Sequence, residues 1–179
     1  DWTGSDQDPG VGFIGSGTIT TPTSTVNVTY TNARGIAFYQ AAGGTYYYSN
    51  GSDGPAGTSP YTSAQVDNRP PTADIVALQY AGTQSLVFSQ AIANPVFAFV
   101  SLNGNGYGFD QDFDILSFGD ASDGNACGYW GCGTSYKNIV TVNGKTEYQL
   151  LGTGEPHGTL RFTGTFDTVS WRSLSNEGW

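Results

Sequence analysis

From residue 18 onward the chain alternates apolar and polar positions. In TITTPTSTVNVTY (18–30), Ile19, Val26, Val28 and Tyr30 are separated by Thr, Ser and Asn, the period of two that a half-buried strand requires. The same rhythm returns in GIAFYQ (35–40), TYYYS (45–49), ADIVALQY (73–80), QSLVFSQ (84–90) and PVFAFVSL (95–102). It continues through DFDILSFG (112–119), NIVTV (138–142), TEYQLLG (146–152), GTLRFTG (158–164) and DTVSWRS (167–173). Asn-Gly within VNGK (142–145) separates two of these runs and predicts a tight hairpin, and TGTFD (163–167) predicts a second short connection. No stretch of a dozen residues holds a helical apolar stripe without an interrupting Gly, Pro or β-branched run. The pattern predicts an all-β chain, an antiparallel β-sandwich or jelly roll of about ten strands.

Residues 1–179 read as one domain, with no internal repeat and no boundary. Residues 1–17 lack a clear alternation and read as an extended N-terminal arm, able to form its own strand or to pair with another subunit. The long irregular stretch 49–71 reads as a surface loop packed down by Tyr61 and Val66 rather than as a linker.

Composition narrows the setting. Hydrophobic residues make up 37% of the 179, enough for one well-buried core, and charged residues only 12%. Polarity comes from Ser, Thr, Asn and the 26 glycines, as in secreted all-β domains. With six Lys and Arg against a net charge of −9, the chain has no basic stripe for nucleic acid or an anionic membrane. The most apolar run, NPVFAFVSL (94–102), is far too short for a transmembrane helix. The chain opens on DWTGSDQDPG with no signal peptide, which is expected of a mature secreted protein.

The densest acidic segment is FDQDFDILSFGDASDG (109–124). Asp110, Asp112 and Asp114 alternate with apolar residues, and Asp120 and Asp123 follow. On a strand the first three carboxylates share a face with no Lys or Arg inside the segment, so Ca²⁺ is the one cofactor to consider. The simpler alternative is a strand whose polar face meets water. An EF-hand is excluded, since Ile115 stands where the loop needs glycine. Glu155 and His157, the only histidine, could form an acid–base pair, but no nucleophile motif or zinc-ligand set accompanies them. They read as a polar turn, and no catalytic residue is assigned. Tyr107, Tyr129 and Trp130 lie in glycine-rich stretches, where exposed rings could stack on sugars.

Cys127 and Cys132 in ACGYWGCG (126–133) enclose four residues. Thioredoxin-type centres enclose two at a helix start, and zinc would need further ligands. One disulfide is the simplest outcome in a secreted chain, leaving Tyr129 and Trp130 at the tip of the closed loop.

TADIVALQYAGTQSLVFSQAIANPVFAFVSLNG (72–104), FDQDFDIL (109–116) and GEPHGTLRFTGTFDTVSWRSLSNEGW (154–179) together resemble secreted bacterial proteins of the PEP-CTERM, exosortase-sorted type. The resemblance spans roughly residues 66–179. It implies an exported β-sandwich of the cell surface or biofilm matrix and supplies no catalytic residues. His157 stands where such proteins often carry another residue. The chain departs from their pattern in having no Pro-Glu-Pro motif, apolar helix or basic tail, so the anchor is cleaved, lies beyond the chain, or never existed.

The expectation is therefore a non-enzymatic extracellular surface or matrix protein. Its expected partners are further copies of itself, other surface proteins or extracellular polysaccharide. A self-assembling fibre subunit is one version, and a carbohydrate-binding module, with or without calcium, is the alternative. A glycan-active hydrolase or lyase centred on Glu155 and His157 ranks last.

Overall fold

The computed structural model describes residues 1–120 and 122–177. They form thirteen strands rather than about ten: β1 (Trp2–Asp8), β2 (Gly12–Thr20), β3 (Thr25–Asn32), β4 (Phe38–Gln40), β5 (Ile75–Ala77), β6 (Gly82–Ala93) and β7 (Val96–Phe99), then β8 (Gly106–Phe109), β9 (Phe113–Phe118), β10 (Gly133–Val142), β11 (Lys145–Gly154), β12 (Gly158–Phe162) and β13 (Thr165–Ser173). No helix is present among the described residues, and so none is long and apolar enough to cross a membrane.

Eight strands make one antiparallel sheet in the order β1-β2-β3-β6-β13-β8-β11-β10. A three-stranded antiparallel sheet, β7-β12-β9, and a two-stranded one, β4-β5, complete the fold. The N-terminal residues are not a free arm. β1 pairs with β2 from Trp2↔Gly17 to Asp8↔Gly12 and forms the edge of the large sheet. The stretch 18–30 is split by a turn, in which Thr21 Oγ1 accepts from Ser24 N at 3.0 Å. In the β10–β11 hairpin Asn143 and Gly144 both adopt positive φ (50° and 76°), the geometry of the favoured two-residue turn.

Alternation decides which side chains go inside. Along β3, Val26, Val28, Tyr30 and Asn32 are buried while the residues between them face out or sit half-buried. The main core joins Val26, Val28 and Tyr30 to Phe88, Phe109, Leu150, Val169 and Trp171 of the large sheet and to Phe99, Phe113, Leu160 and Phe162 of the small one. Its polar end is internally satisfied: Tyr30 donates to Gln84 Oε1 at 2.5 Å, Gln84 donates to Ser173 at 2.6 Å, and Asn32 donates to the Tyr30 hydroxyl at 3.0 Å. Each of these buried groups would otherwise cost about 1–3 kcal/mol.

A second apolar cluster lies beyond β7. Phe97 and Phe99 point into the main core, whereas Ala98 and Val100 pack with Tyr48, Tyr61 and Ile75. Residues 45–49 are thus not a strand but part of the cover over this cluster. Tyr61 is fully buried there, while Val66 is only half-buried.

Candidate functional site

The cysteines form the expected disulfide, with Cα atoms 4.5 Å apart. Inside the loop Gly128 and Gly131 exchange backbone hydrogen bonds (3.0 and 3.2 Å), so the chain folds back on itself around Tyr129 and Trp130. Gly131 holds φ at 137°, where a side chain would be strained. A strap from the long cover segment runs alongside: Gly51 N donates to Cys127 O and Cys127 N to Asp53 O, both at 2.8 Å.

This turn carries two exposed aromatic rings. Trp130 is 46% exposed and Tyr129 40%. Trp130 stacks on Tyr47 with centroids 5.9 Å apart and planes 19° apart, and Tyr129 meets both rings edge-on at 4.8 and 5.1 Å. Phe38 backs Tyr47 at 5.7 Å. The result is a three-ring platform held by a disulfide on one side and β4 on the other. In the sequence Tyr46, Tyr47 and Tyr48 run consecutively, which puts at least one ring outside without saying which.

Tyr107 does not belong to the platform. It lies on β8 rather than in a loop, half-buried against the main core, with its ring edge-on to Phe109 at 6.3 Å. Burial, reinforced by the nearby Glu177 carboxylate, pushes its hydroxyl well above the usual tyrosine range.

The five aspartates separate. Asp110 and Asp112 sit in the bend between β8 and β9, and only Asp114 is on a strand. Counter-charge comes from elsewhere: Lys137 reaches Asp112 at 2.8 Å and Arg161 reaches Asp114 at 2.9 Å. The Arg161 hydrogen bond holds the Asp114 carboxyl below its ordinary value, whereas burial raises that of Asp110. Asp120 staples its own loop by accepting from Ser122 N and Oγ at 2.6 Å, and Asp123 accepts from Phe118 N and Asn125. Among the described residues no three of these carboxylates come within 4.8 Å of one another. The one group that does converge, Asp53 with Cys127 and Cys132, has both sulfurs committed to the disulfide.

Glu155 and His157 do not pair through their side chains. The His157 ring is fully buried, and its Nδ1 lies 2.8 Å from the main-chain oxygen of Glu155. Gly128 lies directly against it: a Cβ there would come within 2.1 Å of the ring. Burial lowers the histidine to about 4, so it is neutral at pH 7 and presents no atom to solvent. The Glu155 carboxylate instead accepts from Ser101 and from the Asn103 amide, residues that both adopt left-handed backbone (φ 48° and 51°). Close by, Glu177 accepts from Asn105 at 3.0 Å and is pushed up to about 7, mainly by burial and also by the charge of Glu155.

Comparison of the chain with protein-family models, with curated proteins and with solved structures finds no match. Chemically, the groups brought together suit binding: a rigid exposed ring cluster, ion-paired carboxylates, and a histidine shielded from any substrate.

Proposed function

We propose that this chain is a non-enzymatic extracellular β-sandwich of a bacterial surface or matrix, and that it contacts polysaccharide through Tyr47, Tyr129 and Trp130. The carrying observation is the ring cluster itself. Contiguous exposed aromatic rings mark a surface that meets a partner, and a flat ring face matches the apolar face of a sugar. The disulfide and its strap fix the rings in advance, which lowers the ordering cost of binding. A disulfide and few charges also suit the outside of the cell. The resemblance to exosortase-sorted proteins supports the same location.

The test is a glycan array followed by titration of the best glycan. Trp130→Ala is expected to weaken binding at least tenfold while leaving the thermal midpoint nearly unchanged. Because Asp112 and Asp114 are engaged by Lys137 and Arg161, a calcium chelator should not change the affinity. Equal binding by wild type and Trp130→Ala would remove the platform from the proposal.

A further inference from the structure

The eight-stranded sheet ends on β10, which among the described residues pairs with β11 alone. The hairpin fixes which main-chain groups of β10 face outward. Cys132 O accepts from Glu155 N at 2.9 Å, toward β11, whereas the next amide, Gly133 N, donates the opposite way, to Gly119 O at 3.2 Å. Bonding direction alternates along an antiparallel strand. The even-numbered residues 134–142 therefore bond to β11, and Ser135, Lys137, Ile139 and Thr141 direct N–H and C=O away from it. The two-residue turn agrees, since Val142 and Lys145 flank it as a bonded pair. Gly119 occupies only the start of the outer row. From 137 to 142 no main-chain group of another described residue meets it.

The side chains on this edge do little to keep another strand away. Ile139 is 58% exposed and Tyr136 49%, both more than the platform rings. Edge strands ordinarily carry charge as protection, and the one charged residue of β10 is Lys137. Its Nζ lies 2.8 Å from both Asp112 and Phe113 O, so it is drawn back onto the small sheet and neutralised there. The other edge of the large sheet is better protected. β1 has a register shift between Trp2 and Gly4 and carries exposed Asp6 and Asp8.

We infer that β10 is a self-recognition edge, pairing antiparallel with β10 of a second copy about a twofold axis at Ile139. The occupant is identified by the strand's complementarity to itself. With Ile139 opposite Ile139 of the second copy, Lys137 falls opposite Thr141, and Tyr136 opposite Val142 as an aromatic–β-branched pair. Apolar meets apolar, and no lysine faces a lysine. An axis at Lys137 would oppose the two lysines, one at Asn138 would set them on a diagonal, and one at Val140 would leave Tyr136 against Gly144. The three outward pairs supply about six main-chain hydrogen bonds, which a sugar or a small apolar molecule could not satisfy as a row. The pairing joins the two large sheets into one and closes after two copies. It is separate from the polysaccharide reading, since Tyr47, Tyr129 and Trp130 all lie outside β10.

The test is sedimentation equilibrium of the intact chain, followed to about 1 mM because so small a contact gives weak association. The expected result is a concentration-dependent dimer. Ile139→Lys and Ile139→Glu should each weaken it at least tenfold with the thermal midpoint nearly unchanged, and an equimolar mixture of the two should regain it. That recovery requires position 139 to face itself. Under mild oxidation Ile139→Cys should cross-link two copies, because bonded antiparallel pairs hold Cα atoms about 5.5 Å apart, within disulfide reach. Thr141→Cys, more than about 12 Å from its equivalent, should not. Ile139→Lys should leave glycan binding intact and Trp130→Ala should leave the dimer intact, so the two proposals fail separately. A monomer at every concentration, a dimer indifferent to Ile139→Lys, or no recovery in the mixture would overturn the inference. So would growth beyond a dimer, which would mean that β10 pairs with β1 of the next copy.

Discussion

Two buried titrating groups with opposed effects should shape the acid stability of this protein. His157 is held at about 4 by burial, against an ordinary 6.5. On acidification the unfolded chain takes up this proton from pH 6.5 downward while the folded one refuses it until about pH 4, so stability falls across that window. Glu177 is pushed to about 7 from an ordinary 4.5. The unfolded chain releases that proton near pH 4.5 and the folded one only near 7, so stability rises as the pH falls through this second window. Each gap is about 2.5 units at about 1.4 kcal/mol per unit, or on the order of 3 kcal/mol per group. Between pH 4.5 and 6.5 the slopes nearly cancel, and the contribution of this pair should be close to flat. Glu177→Gln removes one slope and exposes the other, so the variant should lose on the order of 3 kcal/mol relative to wild type between pH 6.5 and 4.5. His157→Gln should tilt the profile the opposite way. The assay is urea unfolding at half-unit pH steps and constant ionic strength, with the m-value checked for constancy. Measurement should stop above pH 4.5, because protonation of Asp114, paired with Arg161, and of Glu147, which accepts from Arg172 Nε at 2.6 Å, adds its own loss below that. A Glu177→Gln profile parallel to wild type across the window would refute the assigned burial of Glu177.

The contact between Gly128 and the His157 ring makes a steric prediction: Gly128→Ala should cost about 1–3 kcal/mol, a fall of several degrees in thermal midpoint, and His157→Ala in the same chain should recover part of it. A Gly128→Ala variant as stable as wild type would show that the ring is not held where it lies. Replacing Cys127 and Cys132 together by serine should cost about 2 kcal/mol by the chain-entropy relation for so short a loop, measured by thermal unfolding under oxidising conditions.

The strands legible in the sequence are those with one wet and one dry face, such as β3, or with an explicit turn, such as the β10–β11 hairpin. β1 was illegible because WTGSDQD is an edge strand facing mostly solvent and has little to alternate. β8 was hidden by its glycines. A Cβ on Gly106 would come within 2.5 Å of Leu151, and one on Gly108 within 2.5 Å of Glu147, so GYGF looks like a loop because it is squeezed between β13 and β11. Tyr46–Tyr48 misled in the opposite direction, having strand composition but serving as cover. At the candidate site the glycine-flanked cysteines revealed Tyr129 and Trp130, while Tyr47 joins them only through the tertiary fold. The partners of Asp112 and Asp114 lie 25 and 47 residues away, so local spacing overstated the unpaired negative charge.

The strap that runs from Gly51 to Asp53 beside the disulfide loop should divide the molecule into two cooperative units. The main core is closed by the ladders of two sheets, whereas the cluster around Tyr48, Tyr61 and Ile75 is closed by a cover whose grip includes two backbone bonds to Cys127. Such a cover can open sub-globally, at a lower free energy than the whole fold. Amide exchange under native conditions should therefore separate into two tiers, and a reductant should lower the upper tier little and the lower one much. The five-residue step from Cys127 to Cys132 acts less as a local staple than as the latch on a distant lid.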